Sequence, residues 1–227
     1  MGYLDCIKYY AFKAYAVSLD LTASEPMFNK ITALVMAYLL GSINFSYITY
    51  KKKTGKDIRT VGSKNAGASN LRRFLGWRYY LLVAALDILK GTAAVLLAEW
   101  LTDDLTFTAL AGAMAIIGHS YPVWLRFKGG KSVAVTLGVF IPLGFWAVLI
   151  FGVVYFGLLG ILKIVSIASM SGTLLLFVAT LILDYPLQLQ LLALFAFLLI
   201  VYRHRSNIQR IIQGTELKSG RSKKVNK

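Results

Sequence analysis

Acidic residues are scarce in this chain: 10 Asp and Glu stand against 25 Lys and Arg, for a formal charge of +15. Cysteine occurs once, at Cys6, so no intrachain disulfide can form and no thiolate metal site is suggested. Histidine is confined to His119 and His204, which leaves too few ligands for a histidine-based metal cluster. No metal and no cofactor are expected. The first 26 residues lack a basic start followed by a continuous apolar core, so they do not read as a signal peptide. A nucleotide-binding P-loop is missing too. Gly130-Lys131-Ser132 needs a glycine five positions before Gly130, and Leu125 stands there.

What the chain has in quantity is apolar sequence. Hydrophobic residues make up 57% and the mean hydropathy is +0.64, too apolar for an ordinary soluble domain. In 227 residues several membrane spans of about 20 residues fit, with little left over for a soluble domain. The positive charge is threaded between apolar runs and is not gathered on a soluble face. That excludes a nucleic-acid partner and favours anionic lipid or phosphate.

Seven apolar runs are separable. The first, Ile31 to Tyr50, is stopped by Lys51-Lys52-Lys53, and the second runs from Tyr79 to Leu101. The third goes from Phe107 to about Gly118. Val133 to Leu162 is too long for one crossing, and Pro142 and Gly144 divide it into two helices. The sixth runs from about Ile164 to Leu183, the seventh from Leu187 to Tyr202. The fold class expected is an all-α polytopic membrane protein of seven transmembrane helices. Of the 25 Lys and Arg, 21 fall on one side of that arrangement, and the opposite turns hold none. The positive-inside rule then puts the N-terminus outside and the C-terminus in the cytoplasm. Residues 1–26 are expected to be an extension, either a short interfacial helix or sequence upstream of a start at Met27. Residues 27–210 form the membrane domain and 211–227 a basic cytoplasmic tail. No internal repeat is evident.

Three polar patches share the basic side. The first, 62–73, offers Ser63, Asn65, Ser69 and Asn70 as hydrogen-bonding groups and Arg73 as a two-point phosphate contact. The second, 118–131, joins His119, Lys128 and Lys131 to the Gly129-Gly130 pair, where backbone N–H groups can approach an anion. The third holds Arg203, His204, Arg205, Asn207 and Arg210, followed by Gly214-Thr215-Glu216. Taken alone, the third reads first as a positive flank and the second equally well as a loop that fixes topology, whereas the first repeats Asn and Arg more than a linker does. Asp87 and Lys90 lie three apart within the second span, on one helix face. They read as a structural pair bracing the site from behind, ahead of direct substrate contact. A transporter or channel for an organic anion is the alternative reading. It requires a polar stripe across the bilayer, whereas polar residues here gather at one surface.

Read in order, these stretches resemble the acyl-phosphate:glycerol-3-phosphate acyltransferases, the PlsY-type family. The resemblance rests on Ala37-Tyr38-Leu39-Leu40-Gly41-Ser42-Ile43, Gly62-Ser63-x-Asn65-x-Gly67-Ala68-Ser69-Asn70 and Asp87-Ile88-Leu89-Lys90-Gly91. It continues with Gly118-His119-x-Tyr121-Pro122, Phe127-Lys128-Gly129-Gly130-Lys131, Val165-Ser166-Ile167-Ala168-Ser169 and His204-Arg205-x-Asn207-Ile208. Together they run from about Met27 to Glu216. Lys64 stands where the family usually has glycine, and Ser132 follows the Gly-Gly-Lys where glycine is usual. Asn44 and Ser46 replace residues commonly Pro and Gly, and Ser69 replaces Thr.

The resemblance implies transfer of a fatty acyl group from acyl phosphate to the 1-hydroxyl of glycerol 3-phosphate, giving lysophosphatidic acid and phosphate in phospholipid biosynthesis. It implies a bacterial-type inner-membrane protein with its site on the cytoplasmic face. Ser63, Asn65 and Arg73, with Lys131 and the Gly129-Gly130 backbone, would hold phosphate. Ser169, Asn207 and His204 would hold glycerol and the second phosphate. Ser69, Asn70, Lys128, Arg205 and Arg210 would add substrate contacts. His119 is either the base for the attacking hydroxyl or a structural histidine, and a substrate phosphate could take the proton instead. There is no Ser-His-Asp arrangement. The His-x4-Asp acyltransferase signature is also missing, since Trp124 and Gln209 stand five residues after the two histidines.

Overall fold

A computed structural model describes residues 26–219, so the expected interfacial helix over 1–26 lies outside the described residues. Every regular element among them is helical. The α-helices are α1 (Met27–Ser42), α2 (Phe45–Thr54), α3 (Ala68–Leu75), α4 (Trp77–Thr102) and α5 (Leu105–Ser120). They continue with α6 (Val133–Leu143), α7 (Phe145–Leu162), α8 (Val165–Ile182), α9 (Leu187–Arg203) and α10 (Arg205–Ile212). Short 3-10 turns cover Ile58–Thr60 and Val123–Leu125.

The first apolar run is broken where the sequence suggests one span. Asn44 caps α2, its Oδ1 accepting from the Tyr47 N–H at 2.8 Å and its Nδ2 donating to the Ala66 carbonyl at 3.0 Å. A short amide side chain competes for backbone groups and so ends one helix and starts the next. The break leaves the Ile43 carbonyl outside any helix, where the site uses it.

By length and composition four segments can cross a membrane: 27–54 taken through the break, 77–102, 145–162 and 165–182. The pair α9 and α10, bent by 56°, makes a fifth if it counts as one span. α5 has 16 residues and α6 has 11. At 1.5 Å rise per residue they reach roughly 24 and 17 Å, against about 30 Å of hydrocarbon. All seven apolar runs are helical, yet fewer than seven have the length of a crossing. The 133–162 run divides at Gly144, with Pro142 in the last turn of α6.

α1 packs mainly on α5, α4 on α6 and α1, and α7 on α8, which α9 joins to the rest. Glycines set the closest approaches. A Cβ on Gly118 would run into the Tyr38 carbonyl and come within 2.9 Å of the Ser42 amide, while one on Gly41 would meet the Ala115 backbone. Gly91 and Gly138 do the same for α4 and α6, against the Val135 and Ile88 carbonyls. Lipid removes the hydrophobic drive between helices, so contact between small residues has to supply the attraction.

The polar segment after α2 is a folded loop. Asn70 is buried within it; its Oδ1 accepts from the Ser63 N–H at 3.0 Å and its Nδ2 faces the Ile58, Val61 and Asn65 carbonyls at 3.1–3.2 Å. Arg59 pairs with Asp57 at 2.7 Å and donates to the Leu125 carbonyl at 2.7 Å, tying this loop to the 121–132 loop. Lys64 (φ 56°) and Ser132 (φ 62°), two of the departures from glycine, both adopt the left-handed conformation that glycine takes without strain.

Candidate active site

A cavity of about 790 Å³ lies where α3, α4, α6, α7 and α8 meet, with the chain after α10 running along its rim. One end is polar, lined by Ser63, Asn65, Ser69, Arg73, Lys131, Ser169, His204 and Asn207. The three sequence patches and Ser169 therefore converge. The other limb is apolar, between Leu81, Ala84 and Ile88 of α4, Leu137 of α6 and Val148 to Leu159 of α7. Leu81, Leu149, Val153 and Phe156 line this limb and are exposed on the outer surface of the bundle, so it opens sideways. A charged head and an apolar limb open to the side suit an amphiphile held at a membrane surface.

The polar end is built around Lys131. Its Nζ donates to Asn207 Oδ1, and Asn207 Nδ2 donates to Glu216 Oε1 at 2.5 Å. Glu216 also accepts from Ser166 at 2.8 Å and from Arg210 at 2.7 Å. Burial alone would raise the Glu216 carboxyl, but hydrogen bonds from Asn207, Arg210 and Ser166 hold it below the usual carboxylate range. Burial lowers Lys131 to about 8; the Arg210, Arg73 and Arg203 guanidiniums push the same way, and Glu216 opposes them. Burial likewise lowers Arg73, whose Nη1 is enclosed without a hydrogen-bond partner. That arm is closed off although the residue lines the cavity, so the guanidinium stands beside the cavity with one N–H uncompensated, and a small shift would let it meet an anionic oxygen. Gly67, the N-cap of α3, and Ala68 and Ser69, its first residues, also line the cavity, so the positive end of that helix dipole adds to the same charge.

Several sequence assignments change. The Gly129 and Gly130 amides are occupied, donating to the Ser120 and His119 carbonyls at 3.2 and 2.9 Å, so they offer no anion cradle. Their carbonyls accept from Arg203 at 3.1 Å, and Arg203 lies 4.9 Å over the Tyr121 ring. The Gly-Gly pair is there for close packing: a Cβ on Gly130 would collide with His119 Nε2. Lys128 and Arg205 are exposed and do not line the cavity; Arg205 lies over Tyr202 at 4.8 Å. Arg210 is engaged by Glu216, and the Asn70 side chain is taken up by its own loop. The tail set off at residue 211 begins inside α10. It then folds back to Ser219, whose N–H donates to the Lys163 carbonyl at 2.6 Å and whose Oγ accepts from Arg72 at 2.7 Å.

His119 is buried against α4. Lys90 Nζ lies 2.8 Å from Asp87 Oδ1, 2.6 Å from the Ile43 carbonyl and 2.9 Å from His119 Nδ1. Of the pair read as bracing the site from behind, Asp87 lines the cavity itself and Lys90 reaches it through a histidine. His204 is oriented the other way, its Nδ1 sharing a hydrogen bond with the Ile200 carbonyl at 2.8 Å. Glu216 was given no role from sequence, although it is the sole acid after Asp184 in a strongly basic tail.

A model of the glycerol-3-phosphate acyltransferase family matches residues 31–214. A glycerol-3-phosphate acyltransferase of Halalkalibacterium halodurans is 43% identical over 198 residues, covering 85% of this chain and 96% of its own. One from Aquifex aeolicus is 41% identical over 190 residues, covering 81% and 95%. Two crystal structures of PlsY (YgiH), an integral membrane glycerol 3-phosphate acyltransferase, share the fold. Its glycerol 3-phosphate form has a TM-score of 0.80 at 38% identity, over 84% of this chain and 96% of that one. Its lysophosphatidic acid form scores 0.76 at 36% identity, over 84% and 95%.

Proposed function

The chain belongs to the glycerol-3-phosphate acyltransferase family, and on that premise we propose that it takes its acyl group from an acyl phosphate. The products are 1-acyl-glycerol 3-phosphate, which is lysophosphatidic acid, and inorganic phosphate. The observation that carries the reading is the cavity's division into a cationic end and an apolar limb. An acyl phosphate is already activated, so the site needs no strong nucleophile. It must hold two anions and stabilise charge on the acyl carbonyl and the leaving phosphate. Lys131 and the unpaired Arg73 guanidinium supply that charge, with Ser63, Asn65 and Ser169 as neutral hydrogen-bonding groups beside them. The acyl chain lies along α4 and α7 and stays in contact with lipid.

The same reading puts the seven apolar helices across a bacterial inner membrane, with α5 and α6 as short crossings. The polar end then faces the cytoplasm, in keeping with the 21 basic residues on that side. Membranes from expressing cells, given labelled glycerol 3-phosphate with either palmitoyl phosphate or palmitoyl-CoA, test it. Lysophosphatidic acid formed from the acyl phosphate alone, and lost in Lys131→Ala, supports the proposal. Product from palmitoyl-CoA alone, or from neither donor with folded protein, overturns it.

A further inference from the structure

The two histidines enter the cavity with opposite polarity, and we propose that Lys90 fixes His119 as a hydrogen-bond donor to substrate. The inference rests on the acyl-transfer reading only for what His119 touches. The tautomer itself follows from the protein's own contacts.

An ammonium group has three hydrogens and no lone pair, so each of its partners must accept. Three atoms surround Lys90 Nζ: the Ile43 carbonyl accepts at 2.6 Å, Asp87 Oδ1 makes an ion pair at 2.8 Å outside hydrogen-bond geometry and lies beyond hydrogen-bond reach of the ring at 3.6 Å, and His119 Nδ1 lies at 2.9 Å. The first is available because α1 ends there, and the second keeps the buried pair neutral overall. The third must then be a bare ring nitrogen. A neutral imidazole with a bare Nδ1 carries its proton on Nε2, so Nε2 can only donate. Asp87, Lys90 and His119 are 2%, 5% and 4% exposed, so bulk water does not compete for these hydrogens.

Nε2 has a clear outlook. Gly130 is packed against it with no side chain, and Arg203 holds Gly130 in place through its carbonyl. Among the described residues no protein group accepts from Nε2, and His119 lines the cavity. His119 therefore does not act as the base for the attacking hydroxyl. It offers N–H to an oxygen of the reacting acyl phosphate, where negative charge builds. Lys90 acts through it, as a positioning residue. His204, whose Nδ1 faces a carbonyl acceptor, carries its proton on that nitrogen and turns a bare Nε2 to the same cavity.

The chain has just two histidines, which makes the test direct. In protein labelled with ¹⁵N-histidine and placed in lipid nanodiscs, the spectrum contains two imidazoles, assigned with His204→Asn. We expect one Nε2–H tautomer, from His119, and one Nδ1–H tautomer, from His204. A protonated Nδ1 or an imidazolium at His119 overturns the proposal. Removing Lys90 alone strands a buried carboxylate, so the companion variant is Asp87→Asn with Lys90→Met, which removes both charges. It should release the His119 tautomer into a mixture, and an unchanged His119 signal overturns the role of Lys90. In activity, His119→Ala should lose roughly 100- to 1000-fold in kcat. His119→Gln, whose amide N–H reaches toward the Nε2 position, should recover at least about tenfold of that. A glutamine variant as inactive as alanine overturns the donor role. Wild-type protein that makes no product from acyl phosphate would instead overturn the acyl-transfer reading and leave the tautomer assignment standing.

Discussion

Lys131 and Asn207 lie 76 positions apart and share a hydrogen bond inside the cavity. Asn207 accepts from Lys131 because its amide nitrogen is already turned to Glu216, so the carboxylate decides which end of the asparagine the lysine meets. The residue expected to hold glycerol also serves to aim a cation. Replacing Glu216 with Ala removes the acceptor for Ser166, Asn207 and Arg210 together. The expected outcome is a stability loss on the order of 2–4 kcal/mol, with Asn207 free to flip. Thermal unfolding in detergent reads the first effect. Glu216→Gln, which keeps the shape, should fold better than the alanine variant while still losing activity.

The lowered Lys131 makes a pH prediction whose sign is fixed. Phosphate binding needs the charged ammonium, which is present below about pH 8 and lost above it. The pH dependence of kcat/KM reports groups on the free enzyme. kcat/KM for glycerol 3-phosphate should therefore fall as pH rises through about 8. Glu216 opposes the downward shift, so Glu216→Gln should move that falling limb to lower pH. A profile flat to pH 10 would remove Lys131 from phosphate binding.

Arg73 separates binding from stability. Its buried Nη1 has no partner, so truncating that arm breaks no internal hydrogen bond there. Arg73→Ala should raise the KM for an anionic substrate roughly 10- to 100-fold, as expected for a hydrogen bond to a charged group, with little loss of thermal stability. Arg73→Lys should not restore it, because an ammonium lacks the second fixed arm. Unfolding that accompanies the loss would mean the guanidinium is structural.

Much of this was legible in the chain, and the parts that were not share a physical cause. The seven apolar runs, the break at Gly144 and the convergence of Ser63, Arg73, Lys131 and Asn207 follow from hydropathy and from polar residues stranded between apolar runs. Span length is less readable, because an apolar run shows that a segment is buried or in lipid without showing that it crosses; α5 and α6 fill their runs and still have just 16 and 11 residues. Gly129 and Gly130 misled: glycine permits both an anion cradle and close packing, and only the positions of the Ser120 and His119 carbonyls tell these apart. The donor identity of His119 depends on a lysine 29 positions away and on the Ile43 carbonyl, freed by a helix break that hydropathy did not mark.

Two glycine substitutions on neighbouring grounds should behave oppositely. A Cβ at Gly118 meets the backbone of α1 at Tyr38 and Ser42, and backbone cannot rotate aside as a side chain can. Gly118→Ala should force α1 and α5 apart and cost at least about 2 kcal/mol, a clear drop in unfolding midpoint. Gly157, on α7, has nothing within 4 Å of its Cβ position. Gly157→Ala should be neutral or stabilising by up to about 1 kcal/mol, from helix propensity alone.

The last expectation concerns Lys64, exposed and left-handed where the family usually has glycine. An L-residue in that conformation costs roughly 1–2 kcal/mol. Glycine gives back part of the gain through the greater freedom of its unfolded chain, about 0.4–1 kcal/mol. Lys64→Gly should therefore stabilise by at most about 1.6 kcal/mol and leave activity unchanged, since Lys64 does not line the cavity. Ser132 is the contrasting case. Its Oγ donates to the Ile116 carbonyl and pairs with Ser120, each at 2.7 Å, so Ser132→Gly relieves strain but abandons two buried hydrogen bonds. It should gain less than Lys64→Gly or lose stability outright. Unfolding midpoints for the two variants, measured side by side, check the order; Ser132→Gly the more stable would mean that backbone strain outweighs those hydrogen bonds.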